Sequence, residues 1–293
     1  MVKIITVISI VMMLCACSSV RRSGGSSGRI TATDRFLLAL PQSGSMTIVG
    51  VSGRQNTRNA EIEAAREYAA RKAALFHGVY VYSEIRQSAG VGLFNVYVTS
   101  DTWLDYDKEF EKYMERLEFD PNRDVLDVDN RVYIRFTYPA SPGSINHRIS
   151  RRPDGRPEWV VHQPTHIGGF IAGVGTSARQ FRTYDTFSKS LDAAAVAISS
   201  TISTTVENME SMVNHNVVST TRQVTEGYLV NFMVIETWVD PSTQSVWTLA
   251  VAQRGSGSSQ ALRSEQVGYP VQVEPPDQVG YPVQTEYPDQ TEE

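Results

Sequence analysis

Residues 170–180 read FIAGVGTSARQ, and residues 46–55 read MTIVGVSGRQ. Each is a short apolar run broken by glycine that ends on Arg-Gln. Two further pairs follow in the same order. VYSEIRQSAG (81–90) echoes VVSTTRQVTEG (217–227), and Thr102-Trp103-Leu104-Asp105 matches Thr237-Trp238-Val239-Asp240. Ordered self-similarity of this kind is the signature of a repeated structural unit.

The offset between the copies is 123 residues at the glycine (Gly50 to Gly173), 136 at the arginine (Arg86 to Arg222) and 135 at the tryptophan (Trp103 to Trp238). The length difference therefore falls almost wholly between the first block and the second. In the first copy Ile62, Ala65, Ala69, Ala73 and Phe76 share a helical face, with Asn59 as cap and Gly78 as stop. In the second, Tyr184, Phe187, Leu191, Ala194, Ile198, Ile202, Val206, Met209 and Val213 step by three or four. This spacing predicts a helix extending by about three and a half turns beyond its counterpart. Its other face carries SSTISTT (199–205), poor helix formers that only buried contacts would hold.

Strand patterns bracket each helix. MTIVGV and GGFIAGVG precede them; Val79–Gln87 and Leu93–Trp103 follow the first. YLVNFMVIETWV (228–239) and SVWTLAVA (245–252) follow the second, joined by an Asp-Pro turn. The first copy inserts a charged amphipathic helix, DKEFEKYMERLEF (107–119), before RVYIRFTY (131–138). The expected fold class is α+β, as two tandem β-α-β-β modules, each a helix packed on an antiparallel sheet.

The second copy resembles the LPP-twenty family of bacterial outer-membrane lipoproteins through FIAGVGTS, LDAAAVAIS, VVSTTRQ and ETWVDPSTQSVWTLAVA. The resemblance covers 167–254 well and 46–138 more loosely. It implies a small α+β envelope module, often on a lipid anchor, with envelope proteins as partners, and it implies no enzymatic reaction.

The start of the chain agrees with that address. Met1-Val2-Lys3 leads into an apolar run, IITVISIVMML (4–14), and then small residues, the layout of a secretory signal. Leu14-Cys15-Ala16-Cys17 resembles a bacterial lipobox, which implies that Cys17 is lipidated and Cys15 leaves with the signal peptide. An acylated Cys17 would anchor the chain firmly, because several acyl chains hold a protein where one does not. Ser18 after it is compatible with sorting to the outer membrane, where the chain is expected to face the periplasm. The expected organisation is a signal peptide (1–16), a flexible tether (17–44), a first module (45–140), a linker (141–166), a second module (167–254) and an acidic, Pro-rich disordered tail (255–293). In that tail QVGYPVQ recurs twelve residues apart.

Sharper chemistry finds little support. The chain has a formal net charge of -5 and no basic patch, which argues against nucleic acid as a partner. Gly173-Val174-Gly175-Thr176-Ser177-Ala178 fits G-x-G-x-x-A in form. It leads towards an antiparallel hairpin, though, and not a βαβ unit, so packing explains the glycines better. His77, His147, His162, His166 and His215 form no recognisable ligand set. His162 and His166 are separated by Pro164, and loop solvation is the expectation for both. No metal, cofactor or catalytic residue is expected. Asp101 and Asp105 flank Trp103, and Trp103 and Trp238 are the candidate ligand contacts, aromatic faces that could stack on a wall glycan. The competing reading makes both tryptophans core aromatics. Peptidoglycan thus stands as a second partner class beside envelope proteins.

Overall fold

A computed structural model describes residues 28–90, 96–213 and 216–256. Eleven strands and five helices alternate along it: α1 (Ala32–Leu37), β1 (Pro41–Gln42), β2 (Ser45–Gly53), α2 (Arg58–His77), β3 (Val79–Gly90), β4 (Val96–Asp105), α3 (Glu111–Met114), β5 (Val125–Val128), β6 (Arg131–Pro139), α4 (Glu158–Val161), β7 (His166–Ile167), β8 (Phe170–Ser177), α5 (Thr183–Ile202), β9 (Thr204–Val213), β10 (Asn216–Val239) and β11 (Val246–Arg254). The class is mixed α+β with antiparallel sheets. One sheet runs β1-β2-β6-β5; the other runs β4-β3-β10-β11-β8-β7, with β9 also on β10.

In each half the strand before the long helix pairs with the last strand of that half: β2 with β6, and β8 with β11. The helix then returns across that strand. Close approach demands glycine there. A Cβ on Gly50 would lie 2.1 Å from the Ala65 carbonyl oxygen, and one on Gly175 would lie 2.0 Å from that of Ser190. The glycines noticed in the repeat are thus seats for helix backbones. Helix α2 starts at Thr57, whose side chain accepts from the Ala60 amide, so Asn59 falls in the first turn instead of capping it. Gly78 (φ 157°) ends the helix.

Helix α2 separates two buried clusters. Ala65, Ala69 and Ala73 face Ile134, Phe136, Ile235 and Trp238. Tyr68 and Leu75 face Phe187, Leu191, Ala194, Ile198 and Phe232 on the other side. A strip of alanines on one flank and large side chains on the other lets a single helix serve both layers.

The two helices have equal length, 20 residues each, which corrects the expectation of a longer second helix. Helix α5 stops at Ile202; Ser203 is extended (φ -157°, ψ 121°), and Thr204–Val213 forms β9, paired residue for residue with Asn216–Thr225. Val206, Met209 and Val213 fit a helical step by spacing alone. The Ser/Thr run tips the balance: β-branched side chains lose rotamer freedom in a helix, and short hydroxyls compete for its backbone groups. The extra residues therefore form a strand, antiparallel to the one that follows it. The two matched segments consequently run antiparallel alongside each other, with Arg86 opposite Arg222. The second half is thus not a copy of the first with a lengthened helix.

Two other expectations change. Residues 29–44 do not behave as a tether: α1 carries a capping box between Thr31 and Asp34, and Leu37 and Ala39 are buried. Residues 141–166 are not a solvated linker, because Ile145, Arg151 and Trp159 are buried in the body. The charged insert contracts to a short helix, α3, flanked by turns; Tyr113 and Leu117 bury against α2, and Arg66 donates to the Met114 and Leu117 carbonyls. Among the described residues, no helix is long and apolar enough to cross a membrane. Cys17 and residues 257–293 lie outside the described residues.

Candidate functional site

The segment that β9 completes is a four-stranded sheet in the order β4-β3-β10-β9. It is continuous with the body through β10, a strand of 24 residues. Below Val230 that strand passes two register shifts and Asn231 (φ 53°), the bulged geometry by which a strand turns from one layer into another. The outer strands β4 and β9 are each ten residues long and are in unbroken register with their inner neighbours. Neither has a second strand beside it among the described residues. Natural sheets blunt such edges with proline, charged side chains (lysine above all) or bulges. Here VYVTSDTWLD and TTVENMESMV contain no proline and no lysine, and two acidic residues each.

The register separates charge by face, because residues opposite one another share a side. Glu84, Arg86, Asp101, Arg222 and Glu207 lie on one face. Ser83, Ile85, Gln87, Ser100, Thr102, Thr204, Val206, Thr221 and Gln223 lie on the other, where Glu210 of β9 is the ionisable residue that the register places. Two apolar side chains on this second face are open to solvent, Ile85 at 39% and Val206 at 57% exposure.

Glu84 ties the charged face together. Arg222 grips it with both arms, Nε to Oε1 at 2.9 Å and Nη2 to Oε2 at 3.1 Å. Tyr82 and Arg86 also donate to it, and Arg222 reaches on to Glu207 at 3.0 Å. Hydrogen bonds from Arg222, then from Tyr82, outweigh burial and hold the Glu84 carboxyl down at about 2. One carboxylate thereby clamps both hairpins.

Trp103 and Trp238 are not brought together. Trp103 is on edge strand β4, 37% exposed, stacked on Tyr82 at 5.5 Å and 22° and close to Tyr80. It forms one end of an aromatic platform on the charged face. Trp238 lies at the far end of β10, with only 8% exposure, inside the core cluster below α2. A ligand cannot reach its ring, so Trp238 is corrected to a core residue. Asp101 and Asp105 share a face four residues apart on an extended strand, roughly 13 Å. That exceeds the carboxylate separation of glycosidases, which is at most about 9.5 Å.

A second group of functional weight gave no local signal. Arg151 is buried between two carboxylates, donating to Glu236 Oε1 at 2.6 Å and to Asp34 Oδ1 at 2.7 Å. His147 Nε2 lies 2.8 Å from the other Glu236 oxygen. Burial pushes the Asp34 carboxyl up, but donation from Arg151 and Thr31 prevails and leaves it lowered. These partners are 85 to 117 residues apart, so only the fold unites them. Their effect is to lock the N-terminal segment and the 141–166 stretch against β10.

At the opposite end of the helices the two strand-to-helix loops of the repeat meet. They border adjoining clefts of about 700 and 370 Å³ that share Asn130, Phe181 and Thr183. Arg54 there is engaged by Glu61 and Asp127, and Arg131 by Gln244. Arg179 and Arg182 are exposed and have no carboxylate within ion-pair distance among the described residues. Phe181 between them is fully exposed. The repeated Arg-Gln pairs thus mark the cleft rim, a role that spacing alone did not suggest.

His162 pairs with Glu158 at 3.3 Å, and His166 touches Thr165. No group of three His, Cys, Asp or Glu side chains among the described residues is placed to hold a metal ion. Comparison of the chain with family models, with curated proteins and with solved structures finds no match.

Proposed function

We propose that this chain is a lipid-anchored lipoprotein of the bacterial outer membrane, attached through Cys17, with a non-catalytic role in holding or organising other envelope components. The resemblance to LPP-twenty lipoproteins supports the address. The role is carried by one observation: a sheet extension that ends in two ten-residue strand edges, neither with a strand beside it among the described residues and neither carrying proline or lysine. Such edges bind by adding strands, main chain to main chain, which requires no catalytic group. The buried Arg151–Glu236–Asp34 lock makes the body a stiff base for that extension. The two halves are proposed to derive from one β-α-β-β unit. The shared β2–β6 and β8–β11 pairings and helices of equal length support this.

Crosslinking in intact cells tests the role. A photoreactive residue at Thr102 on β4 should trap a protein partner, and one at exposed Glu63 on α2 should not. Absence of any adduct from β4 or β9 would remove the interaction role. Acyl labelling should be lost in Cys17→Ser; labelling that persists would overturn the anchor.

The unpaired Arg179 and Arg182 at the cleft rim favour a second reading, a binding module for cell-wall glycan or peptide that bears carboxylates. Under it, sedimentation with purified sacculi should weaken at least tenfold in Arg179→Ala/Arg182→Ala. Phe181 would be the aromatic contact there, while Trp103 lines neither cleft and Trp238 would have no part.

A further inference from the structure

Across the extension the strands alternate in direction, so β4 and β9, first and fourth in order, are antiparallel to each other. Setting a second copy beside the first in the same orientation therefore places its β9 along the first copy's β4 as an antiparallel neighbour. The match in length is complete, ten residues against ten. It repeats without limit, because each added copy presents a fresh β4. Four strands per copy also give an even total for any number of copies, the condition for a closed antiparallel barrel to meet itself without a parallel seam.

We infer that copies of this chain assemble head to tail through β4 and β9, closing a ring of strands built from the four-stranded extensions. This rests on the interaction reading above and names its partner as the chain itself. One junction engages ten residues a side, below the 20–30 of a standard stable interface, so an isolated pair is weak. A closed ring gives every copy two junctions and leaves no open edge. A two-fold pair through β4 alone would leave both β9 edges open, which is why the head-to-tail form prevails. In the ring Glu84, Arg86, Asp101, Glu207 and Arg222 collect on one surface, and the face with Ile85 and Val206, where the register places the one acidic residue Glu210, forms the other. Asp101 and Asp105 on one edge and Glu207 on the other make both edges acidic, so added salt strengthens the junction.

Single-cysteine variants of the acylated full chain test this, with Ser100→Cys or Thr102→Cys on β4 and Thr204→Cys or Val206→Cys on β9. All four sites are exposed, so the substitutions leave the core intact. A β4 variant is mixed with a β9 variant, so that no bond can form within one chain, and oxidised with copper phenanthroline. At least one β4–β9 combination is expected to give a disulfide-linked dimer in tenfold excess over either variant alone. The matching double variant is expected to give a ladder of higher oligomers. Bonds from β4 variants alone at comparable yield mean two-fold pairing and overturn the ring. So does a sample that stays monomeric by mass photometry with no mixed bond. In-cell adducts at β4 that contain only other proteins would sink the ring yet leave the interaction role standing; no adduct of any kind would remove both.

Discussion

Gly175 shows how a single residue sets the helix–sheet distance. Its missing side chain admits the backbone of α5, with the Ser190 oxygen 2.0 Å and the Ala194 nitrogen 2.2 Å from where a Cβ would stand. Backbone atoms cannot yield as a flexible side chain would. Gly175→Ala should lower unfolding free energy by about 3 kcal/mol in a urea titration, whereas Gly169→Ala, with nothing nearby, should change little. Arg151 is the opposite case, a charge that must be present. Arg151→Ala strands Glu236 and Asp34 in the interior and should cost about 3–5 kcal/mol by the same titration. The glycines were legible because close packing leaves a trace in local spacing. The Arg151 lock was not, since each partner reads locally as a surface residue.

At the scale of elements, Glu84 joins β3 to β10, and through Arg222 to β9. Its carboxyl is held at about 2, below the 4.5 of a free glutamate, so the sign follows directly. The unfolded chain takes up the proton first as pH falls. The stabilisation is therefore complete above about pH 4.5 and is lost as pH drops towards 2. Glu84→Gln should cost about 1–2 kcal/mol at neutral pH, discounted for the exposure of the arginines. In thermal melts, wild type and variant should converge as pH falls from 5 to 2; a constant gap would contradict the clamp. The element that misled was β9. Its apolar residues fit a helical step, while its threonines favour extension, and pairing with Asn216–Thr225 decided between them. Side-chain spacing registers burial on a face, but a strand at a sheet edge buries little and so leaves a weak pattern.

For the molecule as a whole, the sequence pattern pointed to a mixed α+β class with antiparallel sheets, but not to the union of the two halves. The arginine segments that match in sequence pair with each other in space, which makes one sheet out of both halves. That union produces the projecting edges on which the proposed envelope role and self-assembly both depend. The most direct measurement is hydrogen exchange on the amides of 96–105 and 204–213, in dilute detergent-free monomer and in the acylated, detergent-extracted protein. The outward-facing amides of both strands should exchange within seconds in the monomer and become protected at least a hundredfold in the extracted protein, with β3 unchanged. Equal exchange in the two samples, or protection of only one edge, would contradict the account.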